Sequence, residues 1–235
     1  SDPVVPYGDD ARVIREFVDY CDHQGWSAVF YSFHERYLPV FRSFGWQDIS
    51  VGEETVIDLP NLELVGKPWQ KVRTALNKGK RAGMTTVWTN WAELSSSHSA
   101  QIKAISEQWV AEKELPEMGF TLGGLEEVND PDVALFLAIN SAGRIEAVTS
   151  WLPSWTEENV TGWTLDFMRR GDGSIPGVME YLIASAALHM KELGAQVMSL
   201  SAAPLATKPL AADEEPPEPT VMTQLLEWLG GVLEP

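Results

Sequence analysis

Residues 165–177 read LDFMRRGDGSIPG and run directly into VMEYLIASAALHMKEL at 178–193. The first stretch closes a strand-like segment predicted over 160–168. The second has apolar residues every three or four positions, which is typical of an amphipathic helix over 176–193. Gly194 ends this helix, and Gln196–Leu200 is a short apolar run that predicts another strand. A strand, a glycine-containing loop, a helix and a further strand together indicate an α/β fold.

The rest of the chain alternates between the same two kinds of element. Helices are predicted at 9–24, 34–44, 67–82, 97–113 and 220–229, and strands at 27–31, 47–51, 54–59, 84–89, 133–140 and 144–152. The segments 115–129 and 211–219 are rich in acidic residues together with Gly or Pro, so both predict loops.

Composition narrows the possible functions before any motif is considered. The chain has 235 residues, is 44% hydrophobic and carries a net charge of −17. It contains no apolar run of the roughly 20 residues that span a bilayer. Its single cysteine excludes an internal disulfide, and its four scattered histidines do not have the spacing of zinc ligands. The overall charge repels polyanions, so a nucleic acid or an anionic lipid would need a local basic surface.

Residues 67–81, KPWQKVRTALNKGKR, provide such a surface. They hold six of the 17 Lys and Arg residues and no acidic residue. On a helix the cations form one stripe while Val72, Ala75, Leu76 and Gly79 form the opposite, apolar face. Surface helices usually mix charges of both signs, so this segment predicts a phosphate-binding helix.

The strand end at Asp166, Arg169 and Arg170 is the second candidate site. Strand ends that precede a helix are where α/β folds bind ligands. Two arginines and several glycines next to a helix N-terminus suit a phosphate. Strict alternation would place Asp166 and Phe167 on opposite faces of the strand. From these residues alone, a structural Asp–Arg pair explains the pattern as well as a functional site does.

A set of tryptophans and prolines near the predicted hairpin admits two interpretations. The set comprises Trp151, Pro153, Trp155 and Trp163. Core packing is the simpler interpretation, and an apolar groove for a lipid is the more specific one.

Several motifs, taken in order, resemble the C-terminal domain of the multiple peptide resistance factor family, the aminoacyl-phosphatidylglycerol synthases. The similarity extends from the Ser-Asp-Pro-Val start to about Leu205. The motifs are the basic helix, Glu107-x-Trp109 with Lys113, Glu117-x-Gly-Phe-Thr-Leu-Gly123, Asp166-Phe-Met-Arg-Arg170, Gly177-Val-Met-Glu180 and Ser199-Leu-x-x-Ala-Pro-Leu205. Ser201 stands where the family usually has Gly, and Glu180 where Asp is common.

The resemblance implies a fold of two tandem GNAT-like domains with mixed central sheets flanked by helices. Residues 1–66 would be the remainder of the first half and residues 67–235 the second half. The implied reaction moves an amino acid from aminoacyl-tRNA to the glycerol headgroup of phosphatidylglycerol or a related anionic membrane lipid. The implied location is the cytoplasmic face of the cell membrane, with a transmembrane flippase region in the full-length protein. This modification of membrane lipids underlies resistance to cationic antimicrobial peptides.

The resemblance also assigns roles to residues. It implies catalytic roles for Asp166 and Arg169 and no metal or redox cofactor. The implied substrate-binding residues are Arg170, Glu117 and Glu180, and Trp151 and Trp163 are added as substrate-binding residues on the lipid-groove interpretation of the tryptophan set. The implied tRNA-binding residues are Lys71, Arg73, Lys78, Lys80 and Arg81.

Other functions stay open at this point. They are a CoA-dependent acyltransferase, a peptidoglycan-type aminoacyl transferase, a hydrolase of aminoacylated lipids, and an inactive module that binds tRNA or lipid. Only the first half of a CoA pyrophosphate loop is present at Arg170–Gly173, and Ile175 breaks the pattern. Because the family extends beyond both ends of this sequence, we also expect weak or absent turnover from residues 1–235 alone and some self-association.

Overall fold

The computed structural model describes residues 8–31, 33–49, 52–111 and 124–204. These residues form two compact units, which meet in sequence at residues 51 and 52. The helices are α1 (Asp10–His23), α2 (Leu38–Ser43), α3 (Gln70–Arg81), α4 (Ser96–Ala111) and α5 (Val178–Glu192). The strands are β1 (Gly52–Asp58), β2 (Thr85–Thr89), β3 (Ala134–Ile139), β4 (Ile145–Thr156), β5 (Asn159–Arg170) and β6 (Val197–Pro204). The predictions for 115–123, 211–219 and 220–229 lie outside the described residues.

The first unit is small and holds together through aromatic packing. Ile14 of α1 is buried with Tyr37 and Phe41, and Phe30 packs on Phe41 with 4.7 Å between ring centroids. The predicted helices 9–24 and 34–44 are present, although the second begins as a 3₁₀ turn at Glu35–Tyr37. The strand predicted at 27–31 is wrong, because this segment has no ladder partner among the described residues and Val29 is 84% exposed.

The second unit is built on one six-stranded sheet in the order β1-β6-β5-β4-β3-β2. Every neighbouring pair is antiparallel except β5 and β6, which are parallel and joined by α5. The predicted α/β class with a mixed sheet is therefore confirmed. Instead of two short strands near 47–51 and 54–59, the described residues form one, β1, and it belongs to this sheet. Assignment of the two units to halves of a tandem fold stays a prediction.

Helices cover both faces of this sheet. Trp151, Leu182 and Met190 belong to the core beneath α5, whereas Ile102 and Phe167 belong to the core beneath α4. All six residues of β3 are buried, since its side chains alternate between these two cores. The sheet thus presents its strand ends, rather than its faces, to a ligand.

Helix α3 packs closely against α5 at a glycine. A Cβ atom added to Gly79 would lie 2.3 Å from Cδ2 of the Tyr181 ring. That ring is buried, and its hydroxyl donates to the Met84 carbonyl oxygen at 3.2 Å. Burial raises the pKa of the Tyr181 phenol, although a hydrogen bond with Ser185 lowers it. The contact places the C-terminal turn of α3 beside the first turn of α5.

Candidate active site

The candidate site lies at the carboxyl end of β5, where the sheet departs from regular pairing. Thr149 faces Met168 and Trp151 faces Leu165, so Ser150 of β4 lies opposite both Asp166 and Phe167. This is a β-bulge, and the amide of Phe167 donates to Ser150 Oγ at 3.1 Å. Leu165 consequently belongs to the core beneath α5 and Phe167 to the core beneath α4. Strict alternation, which the sequence argument assumed, does not hold here. Bulges commonly redirect side chains near active sites.

Arg169 and Arg170 have different surroundings although they are adjacent. Arg169 is 6% exposed, and its guanidinium carbon lies 3.5 Å from the centroid of the Trp109 ring and 4.5 Å from that of Phe167. Its Nη1 donates to the Met168 carbonyl oxygen at 2.9 Å. Such stacking suits the planar guanidinium and fixes its orientation. Arg170 is exposed, so it is the arginine that can meet an incoming anion.

Backbone and side-chain hydrogen bonds anchor the loop between β5 and α5 to the start of β4 and to α4. The Glu146 carbonyl oxygen accepts from the Gly171 amide at 2.9 Å and from Ser174 Oγ at 2.7 Å. On the outer side, Gln108 of α4 donates to the Asp172 carboxylate. These contacts hold the strand end, the loop and the start of α5 in one arrangement.

Glu146 itself is a buried carboxylate at this edge of the sheet. Its Oε1 accepts from Arg144 Nη2 at 2.7 Å and from Asn140 Nδ2 at 2.6 Å, while Oε2 is buried with no donor among the described residues. Burial raises the pKa of the Glu146 carboxyl, but the bonds from Arg144 and Asn140 outweigh it and hold the pKa below its ordinary value. Glu146 therefore stays ionised at neutral pH. The sequence argument did not single it out, since a lone Glu in a strand carries no motif.

The C-terminal turn of the basic helix lies beside the first turn of α5, the helix that follows this strand end. Lys71, Lys78, Lys80 and Arg81 are exposed on α3 and form no salt bridge with a carboxylate of the described residues, whereas Ala75 and Gly79 are buried. Arg73 differs, because its Nη1 donates to the carbonyl oxygens of Leu64 and Gly66, each at 2.8 Å. We therefore expect Arg73 to stabilise the preceding loop rather than to contact a ligand.

The remaining predicted residues are more dispersed. Trp151 is fully buried, and its indole N–H donates to Thr149 Oγ1 at 2.9 Å, which are the contacts of a core residue. Trp163 is half-buried and meets Trp88 edge-on at 5.0 Å between centroids. Glu180 is exposed in the first turn of α5. Glu117 lies outside the described residues.

Fold and site together define a mixed α/β domain whose candidate site lies at the carboxyl end of β5, next to its parallel neighbour β6. The model of the family described as phosphatidylglycerol lysyltransferase, C-terminal, matches residues 1–235. The chain belongs to this family, and the resemblance found in its motifs is confirmed.

Relatives and a solved structure agree with the family model. An uncharacterised protein of Corynebacterium glutamicum is 39% identical over 225 residues, which are 96% of this chain and 28% of that protein. The phosphatidylglycerol lysyltransferase of Bacillus subtilis is 28% identical over 195 residues, 83% of this chain and 22% of that protein. The structure of L-PGS from Bacillus licheniformis superposes with a TM-score of 0.78 at 25% identity, covering 90% of this chain and 66% of that one. The chain thus spans less than a third of the length of these two curated relatives.

The helices also bear on membrane contact. None of those in the described ranges is both long and apolar enough to cross a bilayer.

Proposed function

We propose that the chain transfers a lysyl group from lysyl-tRNA to the glycerol headgroup of phosphatidylglycerol, at the cytoplasmic face of the membrane. The observation that carries the proposal is the arrangement at the carboxyl end of β5. There, β5 carries a carboxylate at a bulge and an exposed arginine, and the cationic C-terminal turn of α3 packs beside the first turn of α5, the helix that follows this strand. The family, and the name of the Bacillus subtilis relative, support the lysyl group and the lipid.

The reaction is a transesterification, and its atoms balance without a cofactor. The lipid hydroxyl oxygen bonds to the carbonyl carbon of the lysyl ester, and the bond from that carbon to the ribose oxygen of the tRNA breaks. The lipid hydroxyl loses a proton and the ribose oxygen gains one. Asp166 is the residue that we assign to this proton transfer. Arg170 and the α3 cations hold phosphates, so the reacting groups meet in a fixed orientation.

The β5–α5 loop favours tRNA over CoA as the donor. A pyrophosphate is usually bound by free backbone amides at a helix N-terminus. Here the amides of Gly171, Ser174 and Val178 donate to the carbonyl oxygens of Glu146, Gly171 and Ile175, at 2.9, 3.3 and 3.1 Å. These three amides are used within the loop, so they are not available to the pyrophosphate of CoA.

Calorimetry with the purified protein tests the donor. We expect tRNA to bind and CoA to give no heat of binding at the same concentrations. Micromolar binding of CoA together with no binding of tRNA would contradict the proposal.

Changing Lys71, Lys78 and Arg81 together to Ser should weaken the binding of tRNA and flatten its dependence on salt. Each phosphate contact that is lost reduces the slope of log K against log salt by about 0.7 to 0.9, so three lost contacts reduce it by roughly 2 to 3. Fluorescence titration of labelled tRNA at several salt concentrations measures the slope.

The matched control is Lys103→Ser, which removes an exposed cation of α4 that lies 5.9 Å from the Trp91 ring. This variant should keep the slope of the unmodified protein. An unchanged slope in the triple variant would mean that the basic face of α3 is only solvated surface.

A further inference from the structure

The parallel strands β5 and β6 separate where the candidate site begins. Their ladder joins Gly162 to Val197, Trp163 to Met198 and Thr164 to Ser199, and no later pair joins them among the described residues. Beyond this point β5 stays paired with β4 as far as Arg170, and β6 stays paired only with β1, as far as Pro204. Asp166 is thus the second residue of β5 after the ladder ends.

Ser201 lies at this separation in an unusual conformation. Its φ is +63°, in the left-handed region, which costs a residue with a Cβ atom about 1 to 2 kcal/mol. It is also part of a second bulge, because Leu200 and Ser201 both lie opposite Thr55 of β1. Glu157, the other non-glycine residue with positive φ in the described ranges, lies in the β4–β5 turn, where such angles are common. A serine in this left-handed conformation within a strand must be stabilised by the contacts around it.

A chain of hydrogen bonds through serine side chains stabilises Ser201 in this conformation. The Ser201 hydroxyl donates to the carbonyl oxygen of Leu165, across the gap between the strands. The Ser201 amide donates to Ser199 Oγ at 3.0 Å, and Ser199 Oγ donates to Glu54 Oε1 at 2.5 Å. Three strands, β1, β6 and β5, are therefore linked at the position where the parallel ladder stops.

We propose that Ser201 is a positioning residue for Asp166. The carbonyl group that Ser201 binds belongs to the peptide unit that joins Leu165 to Asp166. Its hydroxyl therefore fixes this peptide plane and, through it, the backbone that carries the Asp166 carboxylate. This inference rests on the proposed function, in which Asp166 accepts the proton.

Ser201→Gly isolates the contribution of the hydroxyl group, because Gly adopts positive φ readily. We expect the variant to fold with a Tm within a few degrees of the unmodified protein. We expect kcat for lysyl transfer to fall about threefold to tenfold, the equivalent of one lost hydrogen bond, with an unchanged KM for lysyl-tRNA. Hydrogen exchange of the Asp166 amide should become faster at the same time.

Ser185→Ala is the control, since it removes a serine hydroxyl that donates to a carbonyl oxygen, that of Tyr181, at 2.6 Å within α5. It should leave kcat and the exchange of the Asp166 amide unchanged. Unaltered kcat and unaltered exchange in Ser201→Gly would overturn the inference while leaving the proposed function intact. No transfer by the unmodified full-length protein would instead count against the proposed function, and the exchange measurement would still decide whether Ser201 holds Asp166.

Discussion

Replacing Asp166 by Asn is expected to lower kcat for lysyl transfer by about 100-fold or more, the usual contribution of a general base. The amide keeps the shape of the side chain and can still accept hydrogen bonds, but it cannot take the proton of the lipid hydroxyl. Asp166 is half-buried at the bulge, so the change should cost little stability. Initial rates over a range of lysyl-tRNA concentrations give kcat and KM, and thermal unfolding gives the stability.

Asp58→Asn is the matched control, because Asp58 is an exposed carboxylate of β1 that accepts from Asn61 at 2.8 Å. It should leave kcat unchanged. Arg169→Ala is expected to behave differently from Asp166→Asn, since it empties the space between Trp109 and Phe167 and should lower stability as well as activity. Full activity in Asp166→Asn would show that this carboxylate is structural.

Gly79→Ala should lower the free energy of unfolding by about 1 to 3 kcal/mol, the usual range for overpacking. The expected sign is opposite to that of the same change on an exposed helix, where Ala is more stable than Gly by about 1 kcal/mol. The new methyl group would meet the Tyr181 ring, which cannot move away easily because it is buried and hydrogen-bonded to Met84. Denaturant unfolding measures the change.

Asn77→Ala, on the exposed side of the same helix, separates packing from helix propensity. It should raise stability by up to about 0.7 kcal/mol. If Gly79→Ala also raised stability, α3 and α5 could not be packed as described, and the cations at the end of α3 would not lie beside the first turn of α5.

The sequence predicted those elements whose own periodicity decides their structure. Helix α5 and strands β3 to β5 were found because their apolar spacing matches the core that covers them. The strand predicted at 27–31 is wrong because an apolar run does not guarantee a pairing partner, and Val29 is exposed. A local apolar pattern in the sequence cannot show whether a distant segment is available to pair with it as a strand.

The candidate site was predicted in location but not in detail. Asp166, Arg169 and Arg170 were recognised as a strand end before a helix, and they do lie at the carboxyl end of β5. The bulge that disrupts the alternation depends on β4, so residues 165–170 alone could not reveal it. The same holds for Arg169, whose surroundings include Trp109, sixty residues earlier in the chain. The role of Ser201 depends on where two strands separate, which only the sheet defines.

The most direct test of the central claim is to follow labelled lysine from lysyl-tRNA into lipid. The purified full-length protein that contains this chain is mixed with lysyl-tRNA carrying labelled lysine and with vesicles that contain phosphatidylglycerol, and the organic phase is then extracted. The same mixture with vesicles of phosphatidylcholine alone, or with free labelled lysine in place of lysyl-tRNA, serves as the control. We expect label in the lipid phase only when lysyl-tRNA and phosphatidylglycerol are both present, and a loss of about 100-fold or more in Asp166→Asn. Absence of label in the complete mixture, or equal label from free lysine, would contradict the proposed transfer.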